Sequence, residues 1–139
     1  MQLSIVGCPD KIRFRPYVKR AALFYASELI TPKMLENIYL RIKFNKKIDA
    51  YGYASVTEFG PNNKHRQFEI ELDPGIGAYD ILKTLAHEMV HAAQNRGLVQ
   101  ADLDSDLPGE GIEHIANSLA GVIMRRWGKA HPELFSRSQ

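Results

Sequence analysis

Residues 85–92 read LAHEMVHA, and this stretch fixes which way its helix faces. Turned at about 100° per residue, the segment around it brings five apolar side chains onto one stripe: Ile81, Leu82, Leu85, Met89 and Ala92. His87 and His91 fall on the opposite side of the helix. Other residues that share the histidine side are Asp80, Thr84 and Asn95. The pattern predicts a helix over residues 78–95 that rests on a core and presents two histidines away from it.

The spacing of His87, Glu88 and His91 is the HExxH pattern, in which two imidazoles one helical turn apart bind one metal ion from the same face. With five histidines and nine glutamates in 139 residues, composition alone would produce this pattern about 0.01 times. Coincidence is therefore a poor explanation. Zinc prefers neutral imidazole nitrogen and keeps one position for water when the protein supplies three ligands. We expect Glu88 to act as the general base toward that water.

A catalytic zinc site of this kind requires a third protein ligand from elsewhere in the chain. Residues 109–127 predict a final long helix with this apolar stripe: Ile112, Ile115, Ala116, Leu119, Val122, Ile123 and Trp127. Glu113 borders the stripe and is the expected third ligand, because a carboxylate beside the core gains a partner in the cation. Asn117, one turn later, is expected to hold the neighbouring groups in place. Glu110 and His114 remain rival ligands.

Upstream of the motif helix, the sequence predicts one helix and a small sheet. Apolar residues recur at three- and four-residue steps over residues 11–30, with the regular part starting near Arg15. Alternating apolar residues predict three strands, at residues 38–44, 51–59 and 67–72, and a polar loop joins the last two as an antiparallel hairpin. The expected class is α+β, with a first helix, a three-stranded sheet and two further helices.

Length and composition fit a single domain over residues 1–139, with residues 128–139 as a flexible tail. No apolar run approaches the ~18 residues that cross a bilayer, and residues 1–10 lack the pattern of a secretion signal. We therefore expect a cytoplasmic protein. The single cysteine, Cys8, excludes intrachain disulfides and a four-cysteine zinc ribbon.

The net charge is only +2, but basic residues crowd the first fifth of the chain, at Lys11, Arg13, Arg15, Lys19 and Arg20. Nucleic acid is an allowed partner for such a cluster, and a solvated helix face explains it equally well. The cluster alone does not identify a nucleic-acid-binding protein.

The pentapeptide from His87 to His91 resembles the core motif of zincin metallopeptidases, and in their gluzincin branch the third ligand is glutamate. Residues 113–120, EHIANSLA, are similar to the ExxAN segment of the ImmA/IrrE peptidases, which implies Glu113 as the third zinc ligand. Residues 85–92, with a strand hairpin before them, are also similar to SprT-like proteases, which act on proteins bound to DNA. Those proteases usually use a histidine as third ligand. The resemblance covers about residues 50–124 and implies a minimal zincin fold.

These features predict a peptidase with one zinc ion per chain, held by His87, His91 and Glu113, that cleaves a protein or peptide substrate. Glu88 would take the proton of the activated water and return it to the leaving amine. The sequence does not identify the donor that stabilises the oxyanion. His65 and His131 are weak candidates, because we expect them in an exposed loop and in the tail.

Two other functions fit the sequence. The chain could be an inactive zinc-containing binding or regulatory module that contacts protein or nucleic acid, but metal retention alone does not require a base at Glu88. It could also be a structural domain with an accidental motif, which predicts no stoichiometric metal. If the chain is instead an active peptidase, an exposed strand of the hairpin can form main-chain hydrogen bonds with an extended substrate.

Overall fold

The computed structural model describes residues 1–8, 14–46, 48, 50–95 and 112–130, of which 14, 95 and 112–115 are described by their backbone alone. The chain forms, in order, β1 (Gln2–Val6), α1 (Phe14–Leu29), α2 (Pro32–Leu35), β2 (Ile38–Phe44), β3 (Gly52–Phe59), a 3-10 turn (Pro61–Asn63), β4 (His65–Leu72), α3 (Ala78–Asn95) and α4 (Ile112–Ala130). The described part is thus a mixed α and β structure. None of its helices has an apolar stretch long enough to span a bilayer.

The sheet has four strands in the order β1-β2-β4-β3, so the predicted three-stranded sheet is wrong by one strand. β1 is parallel to β2 and β2 is parallel to β4, whereas β3 runs antiparallel to β4 as the predicted hairpin requires. β1 was missed because it has only five residues. It is held by pairing with β2, for example Leu3 with Leu40, and such distant pairing leaves little local signal in the sequence.

One face of the sheet carries the core. Burial alternates along β2 as the period of two predicts, with Leu40 and Ile42 buried beside Phe68 and Ile70 of β4. The hairpin turns at Gly60, whose φ of 81° lies in the region that favours glycine, and a Cβ there would lie 2.6 Å from the His65 ring. The sheet ends at β3, which pairs with β4 on one side within the described residues.

α3 lies at the centre of the helical layer and contacts α1, α4, β3 and β4. All five residues of its predicted apolar stripe are buried, which confirms the orientation of the helix. Burial also extends beyond that stripe, to Ala86, Val90 and Ala93, because α3 is covered on several sides. The histidine side is therefore a narrow strip between buried flanks rather than a broad exposed face.

α4 packs through one side only. Ala116, Leu119, Ile123 and Trp127 are buried, and Val122 is partly buried, in agreement with the predicted stripe. The Trp127 ring lies 5.4 Å from Phe24 and 6.1 Å from Tyr25 of α1, measured between ring centroids. The helix continues to Ala130, three residues beyond the end predicted at Trp127. The predicted loop at 98–108, the helix start at 109 and residues 131–139 lie outside the described residues.

Candidate metal centre

α3 brings the two motif histidines together. The Nε2 atoms of His87 and His91 are 3.1 Å apart, and their rings meet edge to face at a centroid distance of 4.6 Å. Both side chains are half-buried. The spacing of four residues on a regular helix places them one above the other, which is why the sequence predicted their proximity.

The separation of the two nitrogens fits a shared zinc ion. Two imidazole nitrogens bonded to one tetrahedral zinc at ~2.0–2.1 Å lie about 3.3 Å from each other. The observed 3.1 Å is close to that value. Both imidazoles must be neutral and carry their proton on Nδ1 to bind through Nε2. Without an ion, one Nε2 can instead donate a hydrogen bond to the other, provided that the two rings hold different tautomers.

The side chains of the predicted third ligand, Glu113, and of its rivals, Glu110 and His114, lie outside the described residues. Glu113 is in the first turn of α4, one turn before Asn117, and His114 follows it, while Glu110 precedes the described helix. Among the side chains that the structure does describe, no group of three or more histidine, cysteine, aspartate or glutamate residues could hold a metal ion. Glu113 as third ligand, and Glu110 and His114 as its rivals, therefore stay predictions.

Among the described side chains, Glu88 is the only buried one that carries a charged group, with 9% of its surface exposed. The backbone of Gly52, at the start of β3, lies directly against it. A Cβ on Gly52 would stand 3.2 Å from Glu88 Cγ and only 2.7 Å from Thr84 Cγ2. The absence of a side chain at Gly52 thus allows β3 to approach α3 and to fix the position of Glu88.

A cleft of about 930 Å³ opens between α3, α4 and the start of β3. His87, Glu88 and Asn117 all line it, so the structure brings three of the predicted site residues to one space. His91 is not among the lining residues. Asp80 and Thr84, predicted on the histidine side of α3, also line the cleft, whereas the side chain of Asn95 lies outside the described residues.

One apolar residue of the cleft, Met124, is contacted by a side chain of α1. Met124 lines the cleft, and the buried hydroxyl of Tyr25 donates a hydrogen bond to its sulfur at 2.7 Å. Burial, and then the neighbouring Tyr79, raise the pKa of Tyr25 far above its usual range, so this hydroxyl keeps its proton. The thioether of Met124 is thus held in the cleft by a hydrogen-bond donor from α1.

The prediction of His65 as an exposed loop residue is wrong. His65 begins β4, is partly buried, and its ring lies 5.4 Å from Phe59 and 5.7 Å from Tyr39. Pairing of β3 with β4 sets Phe59 opposite His65, and that contact is invisible to a local pattern. His65 does not line the cleft. His131 lies outside the described residues.

The basic cluster at the N-terminus is only partly described. Arg15, Lys19 and Arg20 are exposed on α1, as a solvated helix face predicts. Lys11 and Arg13 lie outside the described residues. None of the three described residues lines the cleft.

Several residues of the cleft were not predicted from the sequence. They include Tyr51, Gly52, Tyr79, Lys83, Gly121 and Arg125. Lys83 precedes His87 by one turn, so helical spacing alone could have placed it beside the site. Tyr79 lies one turn before Lys83 on the same helix, so the same spacing applies to it. The other four depend on the packing of β3 and α4 against α3, and no spacing within the sequence reveals that.

Comparison of the chain with protein-family models, with curated proteins and with solved structures finds no match.

Proposed function

We propose that the chain is a zinc-dependent peptidase that cleaves a protein or peptide substrate. The observation that carries this proposal is the 3.1 Å separation of the His87 and His91 Nε2 atoms, next to a buried Glu88. His87, His91 and Glu113 would hold one zinc ion per chain. The mixed α and β fold is compatible with the minimal zincin fold that the motif implies.

Each residue has a separate chemical task in this proposal. Zinc, when bound, supplies an acidified water and polarises the carbonyl of the scissile bond. Glu88 accepts the proton of that water and transfers it to the leaving amine, so its carboxylate must start ionised. The close approach of Gly52 restricts the Glu88 side chain, which keeps the base aligned between the two transfers.

The edge strand β3 supports binding of an extended substrate. It pairs with β4 on one side within the described residues, and its first residue, Gly52, lines the same cleft as Glu88. A peptide added alongside β3 gains main-chain hydrogen bonds whatever its sequence. Strand addition would therefore bring the scissile bond to the cleft, and the cleft would select among side chains.

The proposal is tested by peptide cleavage with purified, zinc-loaded protein. Wild type should cleave, and a chelator should stop it. Glu88→Gln should retain zinc and lose about 10²- to 10⁴-fold in rate, the usual contribution of a general base. Glu69→Gln is the matched control, because Glu69 lies in β4 outside the cleft, and it should keep the wild-type rate.

The alternative of an inactive binding module gives a different result. It predicts that zinc binds in both wild type and Glu88→Gln and that neither cleaves any peptide. A wild-type rate in Glu88→Gln would remove Glu88 as the base, even if the protein proved to be a peptidase.

A further inference from the structure

Two cationic side chains enter the cleft from opposite walls. Lys83 comes from α3, one turn before His87, and Arg125 comes from α4. Within the part of the chain that the structure describes, neither has an ion-pair partner. Arg126, the next residue in α4, shows the contrast, because it pairs with Glu28 of α1.

The guanidinium of Arg125 lies beside Gly121, which has no side chain to exclude it. The Nη1 atom of Arg125 lies 3.5 Å from the point that a Cβ on Gly121 would occupy. The side chain of Arg125 therefore folds back along α4 by one turn, toward Asn117. Glycine is unfavourable inside a helix, and no close packing contact with the described residues requires one at this position, so the space above it is left to the cation and to the cleft.

The other charges of the cleft do not cancel this pair. Among the described residues, the acidic side chains that line it are Asp80 and Glu88. Asp80 is in the first turn of α3, where the positive end of the helix dipole already stabilises its charge. Glu88 is the neighbour of His87 in α3, and the proposed zinc would offset its charge. Among the described residues of the cleft, Lys83 and Arg125 are therefore the lysine and arginine that an anionic group of a ligand can meet.

We propose that the cleft holds a subsite for a carboxylate of the substrate, bound by Lys83 and Arg125. The inference rests on the proposed peptidase function. Arginine binds carboxylates with two parallel hydrogen bonds, and lysine adds a point charge. Lys83 is one helical turn, about 6 Å, from His87, and an extended peptide advances about 3.3 Å per residue. The carboxylate belongs to a residue about two positions from the scissile bond.

The carboxylate can come from an acidic side chain or from the C-terminus of the peptide. Digestion of a library of protein-derived peptides, read by mass spectrometry, distinguishes the two. Enrichment of aspartate and glutamate at one position near the cut indicates a side chain. Cuts two residues from the C-terminus that disappear when the library is amidated indicate the terminal carboxylate. Cuts with neither preference would overturn the subsite.

Substitutions of Lys83 and Arg125 test whether these two residues bind the carboxylate. Arg125→Gln and Lys83→Gln should each lower kcat/KM for the preferred carboxylate peptide by about 10-fold or more, the effect of losing a charge-assisted hydrogen bond. The same variants should leave the neutral peptide within about twofold. Arg126→Gln removes the same charge one residue away, outside the cleft, and should behave as wild type. Equal losses on charged and neutral peptides would contradict a carboxylate subsite.

Binding separates failure of the subsite from failure of the peptidase. Fluorescence anisotropy is measured on zinc-loaded Glu88→Gln protein, with and without Arg125→Gln, for two pairs of labelled peptides: a glutamate peptide with its glutamine analogue, and a free-acid peptide with its C-terminal amide. Tighter binding of the charged member of either pair that is lost with Arg125 supports the subsite whether or not wild type cleaves. Equal binding within both pairs would overturn the subsite while leaving cleavage by wild type as evidence for the peptidase.

Discussion

The two helices that form the walls of the cleft differ in how they are held. α3 is enclosed by α1, α4 and the sheet, and its histidines occupy a narrow strip between buried flanks. α4 is buried on one side, while the other side lines the cleft with Asn117, Gly121 and Arg125. The three motif residues, His87, Glu88 and His91, lie on the enclosed helix. Arg125, proposed to bind the substrate, lies on the half-open one.

The largest effect on stability is expected on the buried side of α4. Trp127→Ala removes the ring that packs against Phe24 and Tyr25, and should lower the free energy of unfolding by about 3–5 kcal/mol. Val122→Ala, at a partly buried position of the same helix, is the control and should cost about 1 kcal/mol. Urea unfolding measures both. Equal losses would mean that α4 is not anchored through Trp127.

A smaller loss of unfolding free energy, accompanied by a fall in kcat, is expected from a substitution where β3 approaches α3. Gly52→Ala places a Cβ 2.7 Å from Thr84 Cγ2, and the β-branched threonine cannot swing away freely. We expect a loss of about 1–3 kcal/mol in unfolding free energy, as for overpacking, and a fall in kcat because Glu88 is displaced. Gly77→Ala meets only Asp80 Oδ2 at 3.8 Å and is the matched control. An unchanged kcat in Gly52→Ala would show that β3 does not position the base.

The smallest expected change in stability is an increase, and it comes from a substitution on the open side of α4. Gly121→Ala adds a Cβ at ordinary contact distance, 3.5 Å from Arg125 Nη1, and restores helix propensity worth about 1 kcal/mol. The midpoint of thermal unfolding should rise. A lower midpoint would mean that this side of α4 is packed rather than open, and the contrast between the two helices would fail.

Local periodicity was sufficient for the elements that are regular and buried on one face. The bounds of α3, the alternating burial of β2 and the β3–β4 hairpin all follow from spacing in the sequence. β1 did not follow, because five residues carry too little pattern and its pairing with β2 is distant in sequence. His65 was misplaced for a related reason, since Phe59 meets it only across the hairpin.

The residues of the candidate site also form two groups, those that local spacing predicts and those that depend on contacts distant in sequence. His87, Glu88 and His91 are positioned by one helix, so their spacing in the sequence was enough to predict that the imidazoles converge. Gly52 and Arg125 reach the cleft only through the packing of β3 and α4 on α3, which no single segment encodes. Glu113 belongs to this second kind, because its distance from the two histidines depends on how α4 packs against α3.

The zinc content of the purified protein, measured by elemental analysis after removal of loosely bound metal, tests the proposed metal centre most directly. We expect one zinc per chain in wild type and in His65→Gln, and loss of that zinc in His87→Ala, His91→Ala and Glu113→Ala. Wild type without zinc, or full zinc content in His87→Ala and His91→Ala, would contradict the proposed metal centre.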